Sequence, residues 1–203
     1  AISTNPALAV SKRSRPKTPQ PRTNYYTVEQ LGLLWHIEGI NPEYRRYLRF
    51  MITTPLRAIE GANLIWSQID HAAAQIKLEA IDVKNNEYFV MPLNHLALSI
   101  IGEAAAEQTS LVFPLSKANK PMKSWSYFNT KIREATGIEN FILHDLRRTF
   151  STLMSEHTEI SETLIDGLLN RKQSATRGGV IRHYQHAKNL EKRRQVMKQW
   201  GTL

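Results

Sequence analysis

Two short stretches of the sequence place phosphate-type hydrogen-bond donors at helical spacing. Arg57 lies one turn before Glu60 in Thr-Thr-Pro-Leu-Arg-Ala-Ile-Glu, and His144 lies one turn before Arg147 in His-Asp-Leu-Arg-Arg-Thr. The second spacing would present an imidazole and a guanidinium on one helix face, where a reactive centre could use them. A structural interpretation remains open. Arg57 and Glu60 could form an intrahelical ion pair worth about 0.2–0.5 kcal/mol, and His144 could lie at a helix start with the arginines in solvent.

A third stretch surrounds one tyrosine with basic and imidazole side chains. Leu-Leu-Asn-Arg-Lys ends in Arg171 and Lys172, and Tyr184 follows among Arg182, His183 and His186. Tyr184 could also pack in the core, as the spacing predicts for Tyr44 and Tyr47. The two histidines would allow a metal site, but no carboxylate or third histidine lies nearby, so no metal is expected.

The hydrophobic pattern predicts a mainly α fold with one small antiparallel β-sheet, that is, an α+β domain. A Thr27 capping box opens the first helix, which Gly39 ends, and Asn41-Pro42 opens the second. Further helices are expected at 57–65, 94–108, 124–136, 145–155, 161–169 and 190–200. Strands are expected at 75–80 and 88–91, joined by a hairpin turn that contains Lys84. A lysine in such a turn is usually only solvated.

Composition and charge favour a nucleic-acid partner. The 203 residues carry 27 Lys and Arg against 18 Asp and Glu, a net charge of +9, with a pI near 9.9. The absence of cysteine excludes disulfide scaffolds, thiolate metal sites and cysteine nucleophiles. No apolar run reaches the roughly 20 residues that span a bilayer. A membrane-surface partner is less favoured, because the basic N-terminal segment has no adjoining amphipathic helix with an aromatic face.

The positive charge is concentrated in two segments, either of which could also be an ordinary solvated surface. One lies near the C-terminus, and the other is interrupted by three prolines, which preclude a regular helix and predict an extended linker. The linker's candidate DNA-binding residues are Lys12, Arg13, Arg15, Lys17 and Arg22, and Lys172 is a further candidate in the C-terminal cluster.

Four boxes, in order along the chain, resemble those of the tyrosine recombinases, specifically the catalytic domain of phage and genomic-island integrases. They are Thr-x-x-Arg-x-x-Glu at 54–60 with Trp-Ser-Gln-Ile-Asp after it, Val-Lys at 83–84 with Val-Met-Pro-Leu after it, His-x-x-Arg-Arg-Thr at 144–149, and Tyr-x-His at 184–186. The helix that begins Leu-Glu-Lys-Arg-Arg resembles the tail that follows the nucleophile in integrases. The resemblance runs from about Thr27 to the last residue.

The resemblance implies a tyrosine-recombinase catalytic domain at 27–203, after a basic, Pro-rich linker at 1–26 that would join an N-terminal DNA-binding portion. It implies strand transfer on double-stranded DNA at attachment-type sites, in the bacterial cytoplasm, by a chain that is monomeric as a fragment and tetrameric on DNA. No cofactor is expected. The implied roles are nucleophile for Tyr184, base for His144, phosphate ligands for Arg57 and Arg147, general acid for Lys84, and support from Glu60 and His186.

One box departs from the family pattern. Arg171 stands where the family usually has histidine, sometimes tryptophan. Arginine still donates to phosphate, but it cannot donate a proton near neutral pH. The chain could therefore be an active divergent enzyme, a weakened one, or one in which Asn170 occupies the site instead. A DNA-binding protein without cleavage is the alternative function, and a type IB topoisomerase is a more distant one.

Overall fold

The computed structural model describes residues 23–103, 107, 110–114, 120–122, 124–171 and 180–202, and for 180–188 it describes the backbone alone. The linker cations Lys12, Arg13, Arg15, Lys17 and Arg22 lie outside these residues, as does Lys172. No helix in the described part of the chain is long and apolar enough to span a bilayer.

Helices and one small sheet make up the described fold, which confirms the predicted α+β class. The helices are α1 (Val28–Trp35), α2 (Pro42–Thr53), α3 (Ala58–Ala62), α4 (His95–Ile101), α5 (Trp125–Thr136), α6 (Asp145–His157), α7 (Glu162–Leu168) and α8 (Val180–Trp200). The strands are β1 (Ile69–Asp70), β2 (Gln75–Leu78) and β3 (Phe89–Pro92). They form an antiparallel sheet in the order β1-β2-β3.

Local capping explains where several helices begin and end. The Thr27 hydroxyl accepts from the Gln30 amide at 3.3 Å, and the Gln30 side chain accepts from the Thr27 amide at 3.0 Å, which confirms the capping box. Asn41 caps α2 by accepting from the Glu43 amide at 2.8 Å. Gly137 ends α5 with φ +73°, a left-handed conformation that favours glycine.

Some predicted boundaries were wrong. The helix expected at 94–108 ends at Ile101, because Gly102 follows with φ +77° and the Arg46 guanidinium binds the carbonyls of Ile100 and Ile101 at 3.0 and 2.7 Å. The first helix ends at Trp35, before Gly39 is reached. The helix expected from Leu190 begins at Val180, so that α8 includes position 184.

The sheet also differs from the predicted hairpin. A third strand, β1, is present, and it is too short for its periodicity to be read from the sequence. Strand β2 pairs with β3 from Gln75 opposite Pro92 to Leu78 opposite Phe89, which leaves a ten-residue connection at 79–88 instead of a tight turn. The connection starts with a 3₁₀ turn at Ala80–Asp82 and then carries Lys84. The Asp82 carboxylate holds the 3₁₀ turn by accepting from the Glu79 amide at 3.2 Å.

The C-terminal half of α8 folds back on its own domain. The Trp200 indole donates to the Ile52 carbonyl at 2.8 Å, and its ring lies edge-on to Phe150 at 5.2 Å. One turn and a half earlier, Arg194 donates to the Ala73 carbonyl and, at 2.7 Å, to the Gln75 side chain. These contacts fix α8 against α2, α6 and the turn between β1 and β2.

Candidate active site

Arg57 is oriented by a buried carboxylate. It is the N-cap of α3, and its backbone amide donates to Glu60 Oε2 at 2.8 Å while its guanidinium donates to Glu60 Oε1 at 2.7 Å. The Glu60 side chain is only 1% exposed and that of Arg57 is 18% exposed, so this is not a surface ion pair of the marginal kind. The second guanidinium nitrogen, Nη2, donates to the Asn170 carbonyl at 3.0 Å.

Arg147 projects from the first turns of α6 into the domain interior and is 7% exposed. Its guanidinium donates to the backbone carbonyls of Pro55 and Leu169. Burial, followed by the repulsion of Arg57, lowers the pKa of Arg147 to about 10, so the group stays charged at neutral pH. The carbonyls that bind the two guanidinium groups belong to consecutive residues, Leu169 and Asn170, which brings Arg57 and Arg147 to one place.

His144 lies at the N-cap of α6 with an exposed side chain. Its pKa is lowered, first by partial desolvation and then by the charges of Arg147, Arg148 and Arg57, against which Asp145 acts in the opposite direction. The imidazole therefore favours its neutral form, in which one ring nitrogen can accept a proton.

Lys84 is exposed on the connection between β2 and β3. Its neighbour Asn85 attaches this connection to Asn170, the second residue after α7. The Asn85 amide nitrogen donates to the Asn170 carbonyl, and also to the Asn170 side-chain oxygen at 3.1 Å. Asn85 follows Lys84 in the segment predicted as a hairpin turn, and no local signal in the sequence indicates its contact with Asn170.

Arg171 follows Asn170 in the chain, but its side chain contacts a different partner. Its guanidinium pairs with the Asp166 carboxylate at 2.8 Å, its backbone amide donates to the Asp166 carbonyl at 3.1 Å, and its side chain is 51% exposed. An exposed pair of this kind is weakly held, so the guanidinium can exchange its partner at little cost.

The nucleophile candidate is placed only by its backbone. Positions 184 and 186 lie in the first half of α8, and the side chains of Tyr184 and His186 are outside the described residues, as are residues 172–179. Within the described ranges, no group of three His, Asp or Glu side chains is arranged to hold a metal ion.

Comparison with known proteins identifies the family. The model of the phage integrase family matches residues 27–189. Prophage integrase IntA of Escherichia coli (strain K12) is 27% identical over 181 residues, which are 86% of this chain and 43% of that protein. This chain spans about two fifths of the length of the curated relatives it matches.

Solved structures show the same fold. The integrase from mycobacterium phage Brujita matches with a TM-score of 0.64 at 18% identity, over 96% of this chain and 63% of that one. A lambda integrase tetramer bound to a Holliday junction matches with a TM-score of 0.58 at 19% identity, over 88% and 55% of the two chains. Since the family model covers well over half of the sequence and the fold agrees, this chain belongs to the phage integrase family and has the fold of a tyrosine-recombinase catalytic domain.

Proposed function

We propose that this domain cleaves and rejoins DNA strands at specific sites, through a covalent 3′-phosphotyrosyl intermediate at Tyr184, for the integration or excision of a mobile element. The observation that carries the proposal is the convergence of Arg57 and Arg147 on the consecutive carbonyls of Leu169 and Asn170. Two guanidinium groups held in fixed orientations suit a phosphate whose non-bridging oxygens gain negative charge during transfer.

The nucleophile needs help to lose its proton. A free phenol has a pKa of about 10 and is ionised to about one part in a thousand at pH 7, a deficit of roughly 4 kcal/mol. His144 is the proposed acceptor of the Tyr184 proton, and its lowered pKa supports this role because the imidazole is then neutral. The phenolate oxygen forms a bond to phosphorus as the bond from phosphorus to the 5′-oxygen breaks.

The leaving group needs a proton. Lys84 is the proposed general acid that protonates the departing 5′-oxygen, and its exposed position on the β2–β3 connection is compatible with reaching DNA. The ester bond to tyrosine conserves the energy of the broken bond, so no nucleotide cofactor is required. Arg171 would add a phosphate donor after exchanging Asp166 for DNA, Glu60 would orient Arg57, and His186 would assist near the nucleophile.

The proposed partner is double-stranded DNA with attachment-type sites. The net charge of +9 and the basic linker at 1–26 support DNA binding. A solved neighbour is a lambda integrase tetramer on a Holliday junction, and we extend to this chain a tetramer on DNA and a monomer in its absence. The proposed location is the bacterial cytoplasm, at the nucleoid.

Covalent trapping on a nicked suicide substrate tests the proposal. Cleavage releases a short strand that diffuses away, so the wild-type chain should accumulate as a protein–DNA adduct that resists denaturation. Tyr184→Phe should form no adduct. Tyr127→Phe is the matched control, because Tyr127 is exposed on α5 and should be trapped like the wild type. Trapping that survives Tyr184→Phe would refute the assignment.

A second candidate, DNA binding without cleavage, is favoured by the ion pair between Arg171 and Asp166. If that candidate is right, the unmodified chain should bind DNA without forming an adduct, and Arg171→His should restore or greatly raise cleavage. Robust cleavage by the unmodified chain would dismiss it.

A further inference from the structure

We propose that Asn85 is a positioning residue for Lys84, which it brings to the scissile phosphate by docking the β2–β3 connection on Asn170. This inference rests on the proposed function, because it concerns the group that would protonate the leaving oxygen.

The contact between Asn85 and Asn170 has only one chemically sensible orientation. The backbone carbonyl of Asn170 can only accept a hydrogen bond, so the amide nitrogen of Asn85 must point towards it. The backbone at Asn170 is left-handed, with φ +46°, a conformation that asparagine tolerates better than most residues.

The same carbonyl also binds the arginine site. Asn170 O accepts from Arg57 Nη2 at 3.0 Å and from the Asn85 amide. The Asn170 carbonyl is thus a shared acceptor. It contacts the Arg57 guanidinium, which is proposed to bind phosphate, and the connection that carries Lys84, the proposed general acid. Consecutive Cα atoms are 3.80 Å apart, so the docking of Asn85 limits how far the backbone of Lys84 can move from Arg57.

The first half of the connection has contacts of its own. Val83 is buried, and the Asp82 carboxylate accepts from Gln68 at 2.9 Å. Ile81 is 90% exposed and Tyr88 is 50% exposed, so these two large side chains contribute little to holding the connection. Within 84–88, the bond from Asn85 to Asn170 connects the backbone beside Lys84 to the site. A general acid acts only within hydrogen-bond reach of its target. Loss of the contact between Asn85 and Asn170 would therefore leave Lys84 within reach of the leaving 5′-oxygen for less of the time.

Two variants of Asn85 remove the contact in different ways. Asn85→Ala deletes the donor, and Asn85→Asp keeps the shape but sets a carboxylate oxygen against the backbone carbonyl of Asn170. Asn86→Gly is the control in the same turn, because Asn86 is exposed and has φ +56°, which glycine adopts without strain. Lys84→Ala is the reference for loss of the acid.

The test compares two DNA substrates under single-turnover trapping. In one the leaving atom is the natural 5′-oxygen, and in the other it is a 5′-bridging sulfur. A thiol has a pKa near 8.5 and leaves as a thiolate, so the bond from phosphorus to sulfur breaks without a proton donor. We expect Asn85→Ala and Asn85→Asp to cleave the oxygen substrate at least about tenfold more slowly than wild type, since two hydrogen bonds are lost. Both should cleave the sulfur substrate at nearly the wild-type rate, as Lys84→Ala should, and Asn86→Gly should match wild type on both.

Equal slowing of the Asn85 variants on the two substrates would overturn the inference. It would indicate that the substitutions disturb folding or the position of Arg57, and not the supply of a proton. Wild-type rates on both substrates would overturn it as well. Failure of the proposed function looks different: the wild-type chain itself would form no tyrosine adduct on either substrate.

Discussion

Arg147 stays charged in a place where charge is costly. A drop in its pKa from 12.5 to about 10 corresponds to about 3 kcal/mol of differential interaction that opposes the charged form. The bonds to the carbonyls of Pro55 and Leu169 compensate in part. A buried cation retained at such a cost is more typical of a functional group than of a stabilising one.

At the same scale, the cations around His144 lead to a prediction about how the cleavage rate depends on pH. Arg148 lowers the pKa of His144, so Arg148→Gln should raise it. Because only the neutral imidazole can accept the Tyr184 proton, cleavage by this variant should begin to fail at a higher pH than cleavage by wild type. The measurement is the single-turnover trapping rate from pH 5 to pH 8 at saturating DNA.

Arg148→Lys is the control, since it preserves the positive charge. Its cleavage rate should fall at the same acidic pH as that of the wild type, so the acid limb of the pH–rate profile should not move. An unchanged acid limb in Arg148→Gln would mean that His144 is not the base whose protonation limits the rate.

At the scale of elements, Trp200 holds the end of α8. Its indole donates to the carbonyl of Ile52, and its ring packs on Phe150. Trp200→Phe removes the donor and leaves a void, so we expect a loss of about 1–3 kcal/mol in the free energy of unfolding. Urea denaturation followed by circular dichroism measures this loss.

Lys198→Ala is the matched change, on an exposed position of the same helix, and it should alter stability little. If Trp200→Phe were as stable as Lys198→Ala, the packing of α8 on its own domain would not be what holds the helix in solution.

How well the sequence predicts the structure also differs between elements. Helix starts at Thr27 and Asn41 could be predicted because capping is local chemistry. The end of α4 could not, because Arg46 is more than 50 residues away from the carbonyls it binds. In the candidate site, the pairs formed by Arg57 with Glu60 and by His144 with Arg147 are one turn apart and visible in the sequence. The contact of Asn85 with Asn170 spans 85 residues, and no periodicity reports it.

At the scale of the whole molecule, substitutions of basic residues in the linker and in the site should affect DNA binding and strand cleavage separately. Neutralising Lys12, Arg13 and Arg15 together should weaken DNA binding and reduce the slope of log K against log salt by about 3, since each phosphate contact contributes about 0.9. Arg57→Ala should instead reduce trapping far more than binding. Fluorescence anisotropy across a salt series, paired with trapping, measures both effects.

The unmodified chain should bind DNA weakly and with strong salt dependence. Affinity that is the same in low and high salt would contradict the electrostatic interpretation, and equal effects of the two changes on binding and trapping would mean that linker and site are misassigned.

The fixed end of α8 sets the scale of movement available to its other end. Arg194 and Trp200 immobilise the last turns, whereas position 184 lies ten residues before Arg194, about 15 Å along the axis at 1.5 Å per residue. A tilt of only about 10° would then carry the backbone of Tyr184 through about 2–3 Å, enough to make or break contact with a phosphorus atom. With Tyr184 as the proposed nucleophile, bending this single helix would be enough to gate strand cleavage while the rest of the domain stays packed.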